Sequence, residues 1–113
     1  MKCVITGGAG FIGSHLATYL LSLDHSVTVL DNYSTGRPEN LDHVRHRVKL
    51  VECDVGYWGE WSKEFDDVDW VFHLAALADI VPSIQKPKEY FVANVDGTLN
   101  VLDVVLLVGI ILG

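Results

Sequence analysis

Apolar and polar positions fall into short alternating blocks along this chain, and the period changes from block to block. Cys3, Val4 and Ile5 form an uninterrupted apolar run, after which Ile12, Leu16, Tyr19, Leu20 and Leu23 recur at helical spacing. That pattern predicts a strand followed by a helix that lays this stripe on a sheet. Val27 to Leu30 is β-branched and apolar without alternation, which suits a strand buried on both faces of a parallel sheet. Val48 to Cys53 and Val68 to Leu74 predict a third and a fourth strand. Between them, Gly56 to Phe65 reads as a short amphipathic crossover with Trp58 and Trp61 as core aromatics. Asn32 to Arg47 turns polar around Gly36 and Pro38, a loop with a short helix near Leu41 to Val44. Leu77 to Lys86 reads as a second loop. Pro87 opens a helix reaching about Val108, with Tyr90, Phe91, Val95, Leu99 and Leu102 on its packed side. From Val104 this helix is apolar all round, so protein has to bury it. The alternation predicts an α/β fold, a doubly wound parallel sheet in the order 3-2-1-4 with a ligand at the switch between strands 1 and 4.

The chemistry concentrates between the first strand and the first helix, in TGGAGFIG from Thr6 to Gly13. A glycine turn there permits dihedrals and close approaches that a Cβ would block, and it aims the unpaired N–H groups of the helix's first turn at one point. An anionic pyrophosphate fits that point. The second strand ends at Asp31, so strand, glycine turn, helix, strand and acid occupy about the ~30 residues of a βαβ dinucleotide fingerprint, with the acid near its ~20-residue offset. A carboxylate there accepts from adenosine ribose hydroxyls and repels a 2′-phosphate, which selects NAD over NADP; Arg37 works against that selection. Asp54 ends the third strand as Asp31 ends the second, and Ala75 and Ala76 leave room for a ligand after the fourth. Asn94, a poor helix former in an apolar stretch, reads either as a satisfied surface amide or as a site residue.

Composition narrows the partners. With 113 residues, half of them hydrophobic, the chain is one domain or part of one. A formal net charge of −7, with the eight Lys and Arg scattered, argues against nucleic acid or an anionic membrane surface. No segment reaches the ~18 apolar residues of a bilayer span, and no export signal is visible. Cys3 and Cys53 lack metal-site or disulfide spacing and read as buried thiols in a reducing compartment, the cytoplasm. His43 and His46, three apart, read as surface histidines.

TGGAGFIGSHL (Thr6–Leu16), DNYSTGRPENL (Asp31–Leu41), CDV (Cys53–Val55), VFHLAAL (Val71–Leu77) and NVDGTLNVL (Asn94–Leu102) together resemble the extended short-chain dehydrogenase/reductases. Within these, the chain is most similar to the NAD-dependent nucleotide-sugar epimerase and dehydratase group, whose best known type is UDP-glucose 4-epimerase. The resemblance covers almost the whole chain and implies a Rossmann-type fold that binds NAD. It places Gly7, Gly10 and Gly13 at the pyrophosphate, with Phe11 and Ile12 supplying backbone. Asp31, Asn32, Ser34, Thr35 and Gly36 fall at the adenosine ribose and phosphate, Asp54 and Val55 at adenine, and Leu74, Ala75 and Ala76 along the nicotinamide side. Asn94 falls near the cofactor. The implied function is the NAD-binding portion of a nucleotide-sugar epimerase acting on a UDP-sugar by transient hydride transfer. A dTDP-glucose 4,6-dehydratase and a UDP-glucuronate decarboxylase are the alternatives within the family.

The chain also departs from the family pattern. Family members use a Tyr-x-x-x-Lys pair for acid/base work, yet Tyr19, Tyr33, Tyr57 and Tyr90 are followed four residues on by Leu23, Arg37, Trp61 and Asn94. Some 4-epimerases carry a lysine where Ala78 stands here. The expectation is therefore residues 1–113 as the N-terminal part of the NAD-binding domain, reaching at most the start of a fifth strand. No substrate domain and no catalytic residue are expected in this chain, which would be inactive alone. The apolar end is either a helix buried in a homodimer through Pro87–Val108, which the family builds from this region, or the divergent tail of a truncated or frame-shifted frame; the second is favoured. A stand-alone NAD-binding module and a non-functional remnant are the readings outside enzymology.

Overall fold

The computed structural model describes residues 1–77 and 80–108. Four strands, β1 (Lys2–Thr6), β2 (Ser26–Asp31), β3 (Val48–Glu52) and β4 (Trp70–His73), form one sheet in the order β3-β2-β1-β4. All three pairings are parallel, with Ile5 opposite Val29 on one side and Phe72 on the other. This is the predicted α/β architecture. β1 and β2 are buried almost end to end, as strands covered on both faces must be. Successive side chains serve opposite cores. Cys3, Ile5, Val27 and Val29 pack with Ala17, Leu20, Leu21, Leu41 and Val44 on one face. Val4 and Leu30 pack with Val55, Trp61, Phe65, Val101, Val104 and Val105 on the other.

Helix α1 (Phe11–Ser22) buries Gly13, Ser14, Ala17, Leu20 and Leu21. The expected stripe is thus only half right, because Ile12, Tyr19 and Leu23 are exposed. Close approach of helix to sheet selects small residues at Gly13 and Ala17, and this rotates the packed face away from the larger apolar side chains. The helix ends in a Schellman motif: Asp24 donates its N–H to the Leu21 carbonyl and His25 to that of Leu20, with Asp24 at φ 64°.

The crossovers on the β3 side are 3-10 turns, Pro38–Val44 and Glu60–Phe65. Trp61 is buried as expected, but Trp58 is exposed and stacks on it from outside, with ring centroids 5.9 Å apart. Two further expectations need correction. The loop Leu77–Lys86 contains a short helix, α2 (Ile80–Gln85); Pro82 sits in its first turn, where a missing N–H costs nothing. The final helix has three parts, α3 (Pro87–Phe91), a π turn (Val92–Asp96) and α4 (Gly97–Val108).

The predicted packed side is also wrong. Gly97 donates its N–H to the Val92 carbonyl, five residues back, and the face that packs is the one carrying the small residue Gly97. Phe91, Val95, Leu99 and Leu102 are exposed, while Gly97, Val101, Val104 and Val105 face the core. Ala78, Asp79 and the expected start of a fifth strand after Gly109 lie outside the described residues.

Candidate functional site

The carboxyl ends of all four strands open onto one cavity of about 410 Å³. It lies where the chain leaves β1 in one direction and β4 in the other, the switch point at which open α/β sheets take ligands. Gly7 and Gly10 follow β1, Asp31 ends β2, Cys53 and Asp54 follow β3, and Leu74 to Leu77 follow β4.

Glycine is required at two points of the first turn. Gly7 sits at φ +72°, and a Cβ there would lie 2.8 Å from the Ala75 nitrogen. A Cβ on Gly13 would collide with the Gly7 carbonyl oxygen and lie 2.7 Å from the Gly8 Cα. The turn is thereby pressed against the end of β4 and the start of α1 at once. Gly10 caps α1 and offers no side-chain acceptor, so the N–H groups of the helix's first turn remain available to an anion.

Asp31 is buried, and its two oxygens have separate duties. Oδ2 accepts from the Ala9 N–H at 3.0 Å, and Oδ1 accepts from the Tyr33 N–H at 2.7 Å. Each carboxylate oxygen retains a lone pair, and the residue lines the cavity. Tyr33 adopts φ 59° to make its bond, a left-handed backbone that is costly for a tyrosine. Asn32 Oδ1 accepts from the Ser34 N–H at 3.0 Å, and the loop then closes through Arg37, which donates its N–H to the Ala9 carbonyl at 3.0 Å. Ser34, Thr35 and Gly36 are thereby held on the cavity rim.

Across the cavity, Asp54 Oδ1 accepts from the Gly56 N–H at 2.8 Å and faces inward with Val55. Burial pushes the Cys53 thiol up to about 11, with the charges of Asp54, Asp31 and Glu64 adding to it. Cys53 is on the cavity wall as an inert thiol. Burial also raises Tyr33, again helped by Asp31.

The β4 side is built from side chains. Thr6 Oγ1 accepts from the N–H groups of Leu74 and Ala75 at 3.1 and 3.2 Å. It also lies 2.6 Å from His73 Nδ1, while His73 Nε2 lies 3.0 Å from Thr98 Oγ1. Burial holds the His73 pKa below its ordinary value. Asn94 Oδ1 accepts from the Leu77 N–H at 2.8 Å and its amide donates to the Leu77 carbonyl at 2.9 Å. Both polar ends of Leu77 are therefore tied to one side chain.

Most of the residues singled out from sequence converge on this cavity: Gly7, Gly10, Asp31, Asn32, Ser34, Thr35, Gly36, Asp54, Val55, Leu74, Ala75 and Ala76. Phe11 and Ile12 are exposed at the start of α1, Gly13 lies beneath the turn, and Asn94 stands behind the wall through Leu77. Sequence reasoning missed Tyr57, Glu89, Val92 and Ala93 on the rim. It also missed Asn40, whose Nδ2 donates to the Ala9 carbonyl at 2.8 Å. Only the step from Val92 and Ala93 to Asn94, on one helical turn, carried a local signal for them.

Sheet order, glycine turn and terminal acid define a dinucleotide-binding Rossmann-type domain. The sequence matches the NAD dependent epimerase/dehydratase family over residues 3–111. The chain belongs to that family, whose cofactor is NAD. It is 40% identical over 103 residues to the UDP-glucose 4-epimerase of Corynebacterium glutamicum, covering 91% of this chain and 30% of that one. It is 35% identical over 105 residues to a UDP-N-acetyl-alpha-D-glucosaminuronate decarboxylase of Bacillus cytotoxicus, covering 93% and 33%. Among solved structures, the Thermus thermophilus UDP-glucose 4-epimerase in complex with NAD superposes with a TM-score of 0.87 at 36% identity, covering 97% of this chain and 35% of that one. The chain thus spans about a third of the length of the relatives it matches. Among the described residues, no helix is long and apolar enough to cross a membrane.

Proposed function

We propose that this chain is the NAD-binding portion of a nucleotide-sugar epimerase that acts on a UDP-sugar. The observation that supports the reading is the convergence of a helix start without a side-chain cap, the carboxylate of Asp31 and the Leu74–Ala76 wall on one cavity. In it Gly7, Gly10 and the first turn of α1, with the backbone of Phe11, Ile12 and Gly13, hold the pyrophosphate. Asp31, Asn32 and the Ser34–Gly36 loop hold the adenosine ribose, Asp54 and Val55 flank adenine, and Leu74 to Ala76 line the nicotinamide side, with Asn94 behind them. Bound NAD supplies a reversible hydride acceptor.

No tyrosine of the chain carries a lysine four residues on, so acid/base chemistry is assigned to residues outside these 113, and the chain alone is expected to bind without turning over. A relative named UDP-glucuronic acid decarboxylase 1, 40% identical to this chain, keeps a UDP-glucuronate decarboxylase as the second reading. The exposed run Phe91, Val95, Leu99, Leu102 and Leu106 supports a homodimer through the Pro87–Val108 helix, and a monomer at all concentrations in sedimentation would exclude it. Two unpaired thiols fit a reducing compartment, the cytoplasm.

Titration calorimetry tests the binding reading. NAD should bind the chain at micromolar concentration, and Asp31→Arg should abolish it; silence at millimolar NAD would overturn the proposal. Joining the chain to the remainder of a homologous epimerase and assaying UDP-glucose turnover separates epimerase from decarboxylase.

A further inference from the structure

The wall after β4 hangs on one line of hydrogen bonds, and counting its protons leaves a single arrangement. Thr6 is fully buried. Its hydroxyl oxygen accepts from the Ala75 N–H at 3.2 Å and shares the Leu74 N–H, 3.1 Å away, with the Thr6 main-chain carbonyl at 3.0 Å. At the far end Thr98 donates its one proton to the Asn94 carbonyl at 2.7 Å, so toward His73 Nε2, 3.0 Å away, it can only accept. Nε2 therefore carries a ring proton, and in the neutral ring Nδ1 is the bare nitrogen that accepts from the Thr6 hydroxyl at 2.6 Å. The Asn94 amide grips Leu77 on both sides. The line starts under Leu74 and ends at Leu77. It brackets the whole β4 segment of the cavity wall.

We propose that His73, as the neutral Nε2–H tautomer, is a positioning residue for the dinucleotide: it locks the Leu74–Leu77 wall between Thr6 on β1 and the Thr98–Asn94 turn. This rests on the reading that NAD occupies the cavity. An imidazolium would bring an Nδ1–H against the hydroxyl that now donates to Nδ1, so a second proton on the ring turns the Thr6 proton away and sets Nδ1–H in competition with the Leu74 and Ala75 N–H groups for that oxygen. The groups facing the ring from β1 and α4 are uncharged hydroxyls, Thr6 and Thr98. Burial lowers the ring's pKa below its ordinary value and so favours the neutral form.

The wall serves the nicotinamide half of the cavity, whereas Asp31 and Asp54 serve the adenosine half. Breaking the line should therefore weaken NAD and spare AMP. Thr98→Val removes the acceptor for Nε2–H, and because this bond is exposed, NAD dissociation should rise about fivefold in calorimetry, the net value of one hydrogen bond. AMP affinity should stay unchanged, and Thr98→Ser should restore NAD binding. Long-range 1H–15N NMR of the unliganded chain at neutral pH should show His73 as Nε2–H, independently of any nucleotide. An Nδ1–H tautomer or an imidazolium there overturns the proposal, as does equal loss of NAD and AMP in Thr98→Val, which marks a general loss of fold. A wild-type chain that binds neither nucleotide while showing the Nε2–H tautomer overturns the NAD reading itself and takes this proposal with it.

Discussion

The two walls of the cavity are held by different means. On the β1–β2 side, main chain meets main chain: Gly7 donates to the Leu30 carbonyl at 2.7 Å and Arg37 to that of Ala9 at 3.0 Å, with the side chains of Asp31 and Asn40 adding to bonds the backbone already makes. On the β4 side a single main-chain bond, from Leu74 to the Thr6 carbonyl at 3.0 Å, is followed by side chains that do the rest of the joining, through Thr6, His73, Thr98 and Asn94. A backbone-built wall depends on which residues lack side chains. A side-chain-built wall depends on each partner keeping its proton and its place.

The sharpest way to break the first wall is to give it a side chain it cannot hold. Gly7→Ala forces a left-handed alanine, at a cost of ~1–2 kcal/mol, and drives its Cβ to within 2.8 Å of the Ala75 nitrogen. Neither Ala75 nor Leu74 can retreat without leaving the β4 end, so overpacking adds ~1–3 kcal/mol. A total near ~3 kcal/mol is expected, read as a fall in the urea midpoint at unchanged slope. A shift below ~0.5 kcal/mol would mean that the turn is not pressed against β4.

Asn94→Ala breaks the second wall next. The change leaves the N–H and C=O of half-buried Leu77 without their partner. Two orphaned backbone groups should cost about 2 kcal/mol in the same assay, since an unmet buried group loses ~1–3 kcal/mol. Far-UV circular dichroism should be unchanged, because the π turn keeps its backbone bond from Gly97 to Val92.

This contrast also explains what could be read from sequence. Gly7, Gly10, Asp31 and Asp54 announce themselves by type and by position at strand ends, because a turn without side chains and a terminal acid leave local marks. The sheet order followed from the same marks. The π turn left none: Val92–Asp96 looks like ordinary helix, and the packed face runs through Gly97, Val101, Val104 and Val105, not through Phe91, Val95, Leu99 and Leu102 as hydrophobicity placed it. Thr6 and His73 are 67 residues apart in sequence, and Thr6 and Leu74 are 68 apart. No local window contains such a pair. On α1, the closeness of the helix and the glycine turn at Gly13 overrode a stripe that hydrophobicity alone placed through Ile12 and Tyr19.

Acid should act on the second wall and spare the first. His73 has a folded pKa below its ordinary value of 6.5 because it is buried. The folded chain then binds fewer protons than the unfolded one in that range, so this group's contribution is complete above about pH 6.5 and declines as pH falls through the folded pKa. Urea midpoints should drop between about pH 7 and about pH 5, and His73→Gln should reduce that drop. An equal drop in the variant would assign the pH dependence to carboxylates instead.

The smallest effect is the one that separates the two designs most cleanly. Asn40, like Asn94, uses its amide to hold a backbone carbonyl, that of Ala9, at 2.8 Å. Composition and geometry are thus matched between the walls. Yet the Ala9 carbonyl already accepts from the Arg37 N–H at 3.0 Å, so Asn40→Ala removes one of two donors and orphans nothing. The loss should be the net worth of a replaceable hydrogen bond, ~0.5–1 kcal/mol, against about 2 kcal/mol for the same truncation at Asn94. Urea melts of the two alanine variants, run side by side with the double variant, measure this directly. Equal losses would show that redundancy at Ala9 counts for nothing. A larger loss at Asn40 would place the weight of the cavity on the first wall's side chains, contrary to the way its backbone is joined.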